Sequence, residues 1–237
     1  MGNRQLFPMS FDQYQQVKNQ STIVTGTPEA QMVKQSGARI QKAVEQYFMD
    51  LGQPDYLNEY EWEFNLIAEE TINAWCMPGG KVAFYSGIMP ICQDELGVAV
   101  VMGHEIAHAI ANHGAERMSQ QYAAQTGLTL ANILLGNDQN ESVGKNLLLQ
   151  AAGVGTSLGI LAFSRKHESE ADQLGLYFMA MAGYDPREAP KFWERMASAS
   201  GGAAPPEFLS THPSDSRRIR DLQANMETAL QYYESSQ

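Results

Sequence analysis

The run LGVAVVMGHEIAHAIA, Leu96–Ala111, is apolar throughout except at His104, Glu105 and His108. Asp94 and Glu95 stand just before it, where acidic residues complement the positive end of a helix. Four residues advance a helix about 40° beyond a full turn, so His104 and His108 project from one face and can share a metal ion through neutral imidazole nitrogens. Glu105 is turned by about 100° from His104, which suits it to take a proton from water beside the metal rather than to bind the metal. Two histidines and a glutamate buried in an apolar helix without partners would be costly. A zinc ion removes that cost and makes the helix the centre of a hydrolytic site.

A third protein ligand is required. The metzincin pattern places Gly three residues and His six residues after the second histidine, but those positions hold Ala111 and Gly114. His113 lies about 140° around the helix from His108 and is expected to point away from the pair. The better source is KHESEAD, Lys166–Asp172, in which Glu168 and Asp172 share a helical face and Glu170 faces the other way. A ligating Glu168 would leave Asp172 one turn below, placed to accept the free N–H of a ligating histidine.

Outward from this centre the pattern is helical on the C-terminal side and mixed on the N-terminal side. Thr27-Pro28-Glu29 reads as a cap and first turn of a helix running to about Asp50 that buries Ile40, Val44, Tyr47 and Phe48. YEWEFNL, Tyr60–Leu66, alternates as a half-buried strand. Two further strands flank the turn Pro78-Gly79-Gly80, giving a small antiparallel-rich sheet beside the active helix. Ser119 to Phe163 has weak punctuation, and its apolar part from Leu147 is too short and too interrupted to span a bilayer, so it reads as a buried or pocket-covering segment. Helices are predicted from Ser164 to Gly183, after Asp185-Pro186, and from about Ser214 to Tyr233, with a loop over Gly201 to Pro206.

With 237 residues, 43% of them hydrophobic, the chain can bury one substantial core. It reads as a single domain, with residues 27–237 catalytic and 1–26 an N-terminal extension. A formal net charge of -11 excludes a nucleic-acid surface, which needs clustered Lys and Arg. Cys76 and Cys92 are too few for a disulfide framework and read as two buried thiols or one bridge.

The ordered set HEIAH, SRKHESEAD and THPSDSRRI, spread between Asn73 and Leu222, resembles the zinc endopeptidase family that includes the HtpX, CAAX prenyl, Oma-type and BepA-like proteases. The resemblance implies a mostly helical, α+β gluzincin-like fold and one zinc ion per chain held by His104, His108 and Glu168, with Asp172 in support and Glu105 as the general base. His212 and Arg218 match the family's HPxxxxRI pattern. The histidine either closes the fourth metal position and holds the enzyme latent, or steadies the oxyanion. The resemblance also implies a strand after NAWCMPGG at the edge of the cleft, where Asn73, Ala74, Trp75 and Cys76 would bind extended substrate through backbone hydrogen bonds.

On this resemblance the chain is expected to be a zinc metalloendopeptidase that cleaves unfolded or misassembled polypeptides. The expected compartment is the bacterial periplasm or cell envelope, with a missing N-terminal leader or lipid anchor as the link to the membrane and a cytoplasmic location as the alternative. The rival function is a chaperone-like protein-binding module with a latent zinc site.

Overall fold

The computed structural model describes residues 3–117, 163–199, 207–213 and 216–237. The expectations for Ser119 to Ala162 and for the Gly201 to Pro206 loop lie outside the described residues.

Among them are nine α-helices with both ends described, two short 3-10 turns, a helical stretch over 113–117 and a four-stranded sheet. Helix α1, Asn3–Gln20, and strand β1, Ile23–Val24, precede α2, Pro28–Asp50. The expected start of α2 is observed, with the Thr27 hydroxyl accepting from the Ala30 N–H at 3.2 Å. Strands β2, Glu63–Ile67, β3, Ala74–Met77, and β4, Lys81–Tyr85, follow. After the short α3, Met89–Cys92, comes α4, Glu95–Ile110, capped by Asp94, whose carboxylate accepts from the N–H groups of Leu96 and Gly97.

The remaining helices are α5, Arg165–Met181, α6, Glu188–Ser198, α7, Glu207–Thr211, α8, Ser216–Ala224, and α9, Met226–Ser235. The last two replace the single helix expected from Ser214 to Tyr233. Asn225 turns its side-chain amide back onto the Asp221 carbonyl at 2.8 Å, at the break between them.

The sheet order is β1-β2-β4-β3. β1 pairs antiparallel with β2 and β3 with β4, whereas β2 and β4 run parallel, so the sheet is mixed and, as expected, antiparallel-rich. The tight turn at Gly79 and Gly80, with φ of 84° and 89°, conformations open to glycine, joins β3 and β4. That turn folds the chain back so that β3 and β4 pair antiparallel, and of the two it is β4 that lies beside β2. The strand after NAWCMPGG is therefore internal, and the edge is β3 itself. β2 also begins three residues later than the alternation predicts, and Asn65, Leu66 and Ile67 are all buried. Both faces of the sheet are covered at that end, because Tyr14 of α1 packs with Ile67, Trp75, Met77 and Ala83 on the face opposite α4.

Every residue of α4 from Gly97 through Ile110 is buried, as expected of a helix apolar on all sides. It packs on α5, α2, β3 and α6. Its crossing with α5 is a backbone contact: a Cβ on Gly175 would lie 2.7 Å from the His104 amide nitrogen, and one on Gly103 would lie 2.7 Å from the Gly175 carbonyl oxygen. This closeness brings the side chains of α5 within reach of His104 and His108. Gly175→Ala is expected to lower unfolding free energy by about 1–3 kcal/mol through overpacking. The denaturant midpoint measures it, and an unchanged midpoint would mean that the crossing can open without cost. No described helix is long and apolar enough to cross a membrane.

Candidate metal centre

The sequence spacing of His104 and His108 on α4 becomes a distance of 3.1 Å between their Nε2 atoms. α5 supplies Glu168, whose Oε1 lies 3.4 Å from His108 Nε2 and whose Oε2 lies 3.6 Å from His104 Nε2. The segment after α7 supplies His212, whose Nδ1 lies 3.2 Å from His104 Nε2 and 3.0 Å from Glu168 Oε1. One ligand atom from each of these four buried residues lies within 4.8 Å of the others.

This group suits a cation. Two imidazole nitrogens face each other at 3.1 Å, and the buried Glu105 Oε1 forms no hydrogen bond, although His212 Nε2 lies 3.4 Å away. Buried polar atoms are normally paired, and a divalent ion with nitrogen and oxygen ligands would satisfy them. The fold therefore brings together a group of side chains that could hold a metal ion.

The supporting shell is dense. Asp172 Oδ1 lies 3.0 Å from His104 Nδ1 and fits as acceptor for its N–H. Arg218 donates to both Asp172 oxygens at 2.6 Å, and its Nη1 lies 2.7 Å from Glu168 Oε2. Its guanidinium stacks 3.7 Å from the ring centre of Trp193. Arg218 thus faces two carboxylates and holds them in place. Burial alone would raise both acids, but Arg218, with His212 beside Glu168, outweighs it and holds both below the usual carboxylate range.

Glu105 stands on the other side of His212, its Oε1 3.4 Å from His212 Nε2. Burial pushes the Glu105 carboxyl up, against the pull of His212 and His104. Burial disfavours a charged His212, yet Glu105 and Glu168 outweigh it and raise its pKa. His212 is held between the rings of Phe163 and Phe208, at 5.1 and 4.7 Å between centres. The Phe163 N–H bonds to the Thr211 carbonyl.

Of the β3 residues, Ala74 and Cys76 turn their side chains toward α4, while Trp75 turns toward α1. Cys76 lines a small cavity with Glu105, His108 and Phe163. The bond from Tyr85 N–H to Asn73 O sets the phase of the β3–β4 ladder, so the backbone groups of Ala74 and Cys76 point outward from the sheet edge. Asn73 donates to Glu207 at the start of α7. Cys76 and Cys92 are free and buried.

His113 does not point away from the pair. α4 ends at Ile110, and Asn112 adopts a left-handed φ of 57°, a conformation Asn tolerates. The chain turns back, and the buried His113 comes to 3.0 Å from His108, Nδ1 to Nδ1. Burial, with His167 beside it, pushes the His113 pKa down to about 4. His113 and the stacked His167 are the site residues that helical spacing misses. The Asn-His-Gly sequence after the apolar run was the only signal for the reversal.

A profile of peptidase family M48 matches residues 34–226. The chain is 38% identical over 188 residues to the mitochondrial metalloendopeptidase OMA1 of Schizosaccharomyces pombe, covering 76% of this chain and 53% of that one. To the protein of the same name in Saccharomyces cerevisiae it is 37% identical over 190 residues, covering 76% and 51%. To the β-barrel assembly-enhancing protease of Escherichia coli it is 33% identical over 165 residues, covering 68% and 33%. The chain spans about half the length, or less, of these relatives. Their names overturn the expected bacterial periplasmic or envelope location, since the mitochondrial proteins match at higher identity and over more of the chain.

Proposed function

Because this chain belongs to peptidase family M48, we propose that it is a zinc-dependent endopeptidase and that the conformation described is its latent one. The observation that carries the reading is the buried Glu105 carboxylate beside the His104, His108 and Glu168 group. His104, His108 and Glu168 would hold the ion, with Asp172 and Arg218 fixing their orientation. A zinc ion there would polarise the scissile carbonyl and acidify water. Glu105 takes the proton from the attacking water and delivers it to the leaving amine.

Substrate is proposed to add to the β3 edge in extended form, through the outward backbone groups of Ala74 and Cys76, with the Ala74 N–H exchanging its 2.9 Å bond to Asn73 Oδ1 for one to the substrate. Recognition of this kind reads backbone more than side chain, which suits unfolded or misassembled polypeptides. Hydrolysis of casein by the purified chain, abolished by a chelator and restored by zinc, tests the activity.

His212 blocks this machinery twice in the latent state. Its Nδ1 takes the position a substrate oxygen would need, and its Nε2 engages Glu105. A second reading draws on the same closure: four protein groups around one ion are what structural zinc sites use, so a protein-binding module would also fit. His212→Ala separates the readings. Latency predicts a several-fold rise in casein hydrolysis, an oxyanion role for His212 predicts a loss of roughly 100-fold, and a binding module predicts no hydrolysis in either form. An unchanged rate in an active enzyme would exclude both catalytic roles for His212.

A further inference from the structure

A histidine that offers its Nε2 lone pair to a metal keeps its proton on Nδ1, and that proton needs an acceptor. The two histidines of α4 meet this need differently. His104 turns Nδ1 to the Asp172 carboxylate at 3.0 Å. His108 turns Nδ1 to a second imidazole, the Nδ1 of His113, also at 3.0 Å. With His108 as donor, His113 must accept at Nδ1 and carry its own proton on Nε2. That atom lies 3.5 Å from Glu170 Oε2, whose side chain is 47% exposed, so the chain of donors runs outward to the surface.

The position of His113 is tightly set. The left-handed turn at Asn112 returns it toward α4, His167 stacks on it at 4.4 Å and an interplanar angle of 21°, and it is 2% exposed. His167 is the neighbour of Glu168 on α5, so the stack ties the support of one ligand to the backbone that carries another.

Resting on the reading of the site as a metal centre, we propose that His113 is a positioning residue. Its Nδ1 accepts the Nδ1–H of His108 and so fixes the tautomer and ring orientation that aim His108 Nε2 at the ion. Unlike Asp172, it does this without adding negative charge, which leaves the metal centre less anionic than a pair of carboxylate partners would make it.

Two variants of nearly equal shape isolate the acceptor. Asn at 113 keeps an oxygen near the place of Nδ1, and Leu does not. His113→Leu is expected to weaken zinc affinity by about 10–100-fold, whereas His113→Asn should stay within a few-fold of wild type. Both are read by chelator competition, with melting of the metal-free chains in parallel. Equal affinity in the two variants overturns the inference, because packing alone would then account for the site. If His113→Leu does not fold, the zinc-loaded wild type decides by long-range proton–nitrogen NMR: protonation of His108 at Nδ1 and of His113 at Nε2 supports the inference, and a proton on His113 Nδ1 overturns it. A wild-type chain with no more zinc affinity than His104→Ala would instead end the metal reading itself.

Discussion

Glu105→Gln is expected to lower peptide hydrolysis by about 10²–10⁴-fold while leaving zinc affinity close to wild type. The two halves of this result come from different features. Glu105 is on the same helix as His104 and His108, but its carboxylate is directed past them to His212, and it is not among the four residues whose ligand atoms converge. Gln keeps its shape and fills the same buried space, so the pocket should persist. An amide cannot take a proton from water, so the chemical step should fail. Burial, which pushes the Glu105 carboxyl up, moves it toward the range in which a base can take a proton and return it. Casein hydrolysis and zinc content are measured on the same preparations. Wild-type hydrolysis by the variant would exclude Glu105 as the base, and parallel loss of zinc would make it a ligand.

The legible parts of the site are those set by helical periodicity. His104 and His108, and likewise Glu168 and Asp172, are pairs four residues apart, and an α-helix turns such spacing into a shared face without help from the rest of the fold. The cap at Thr27 and the turn at Gly79 and Gly80 were legible for the same reason, since each depends on a few adjacent residues. The illegible parts depend on contacts between distant segments. Nothing local tells that β3 folds to the outside of β4. Nor does spacing on one helix reveal His113, because Asn112 ends the periodicity just before it.

α1 was hidden for a related reason. Phe7, Ser10, Tyr14 and Val17 recur at helical spacing, but Pro8 and a run of polar residues dilute the stripe. Its identity is fixed by what it meets, such as the Tyr14 hydroxyl donating to the Val82 carbonyl. The α4–α5 crossing belongs to the same class: Gly103 and Gly175 are unremarkable singly and matter only because they meet.

Glu168→Ala is expected to cost most of the bound zinc and with it the activity, whereas Glu170→Ala, two residues along, should be nearly silent. The contrast is geometric. Glu168 is 2% exposed and brings Oε1 to 3.4 Å from His108 Nε2. Glu170 lies on the opposite side of α5, 47% exposed, where water can replace its contact with His113. Asp172→Ala should fall between them in zinc affinity, about 10–100-fold weaker, because it removes the acceptor for His104 rather than a ligand. It should nevertheless be the most damaging of the three to the metal-free fold. Asp172 is the bidentate partner of Arg218, and breaking a buried pair from one side costs about 3–5 kcal/mol. Glu168→Ala also removes a buried contact of Arg218, from Nη1 at 2.7 Å, but leaves the bidentate pair intact. Zinc affinity and stability are thus expected to rank the variants differently, which separates ligation from support. Zinc titration and chemical denaturation of the three metal-free proteins provide the two rankings. If Glu170→Ala loses zinc and Glu168→Ala keeps it, α5 does not present Glu168 to the histidine pair, and the ligand set proposed for the centre is wrong.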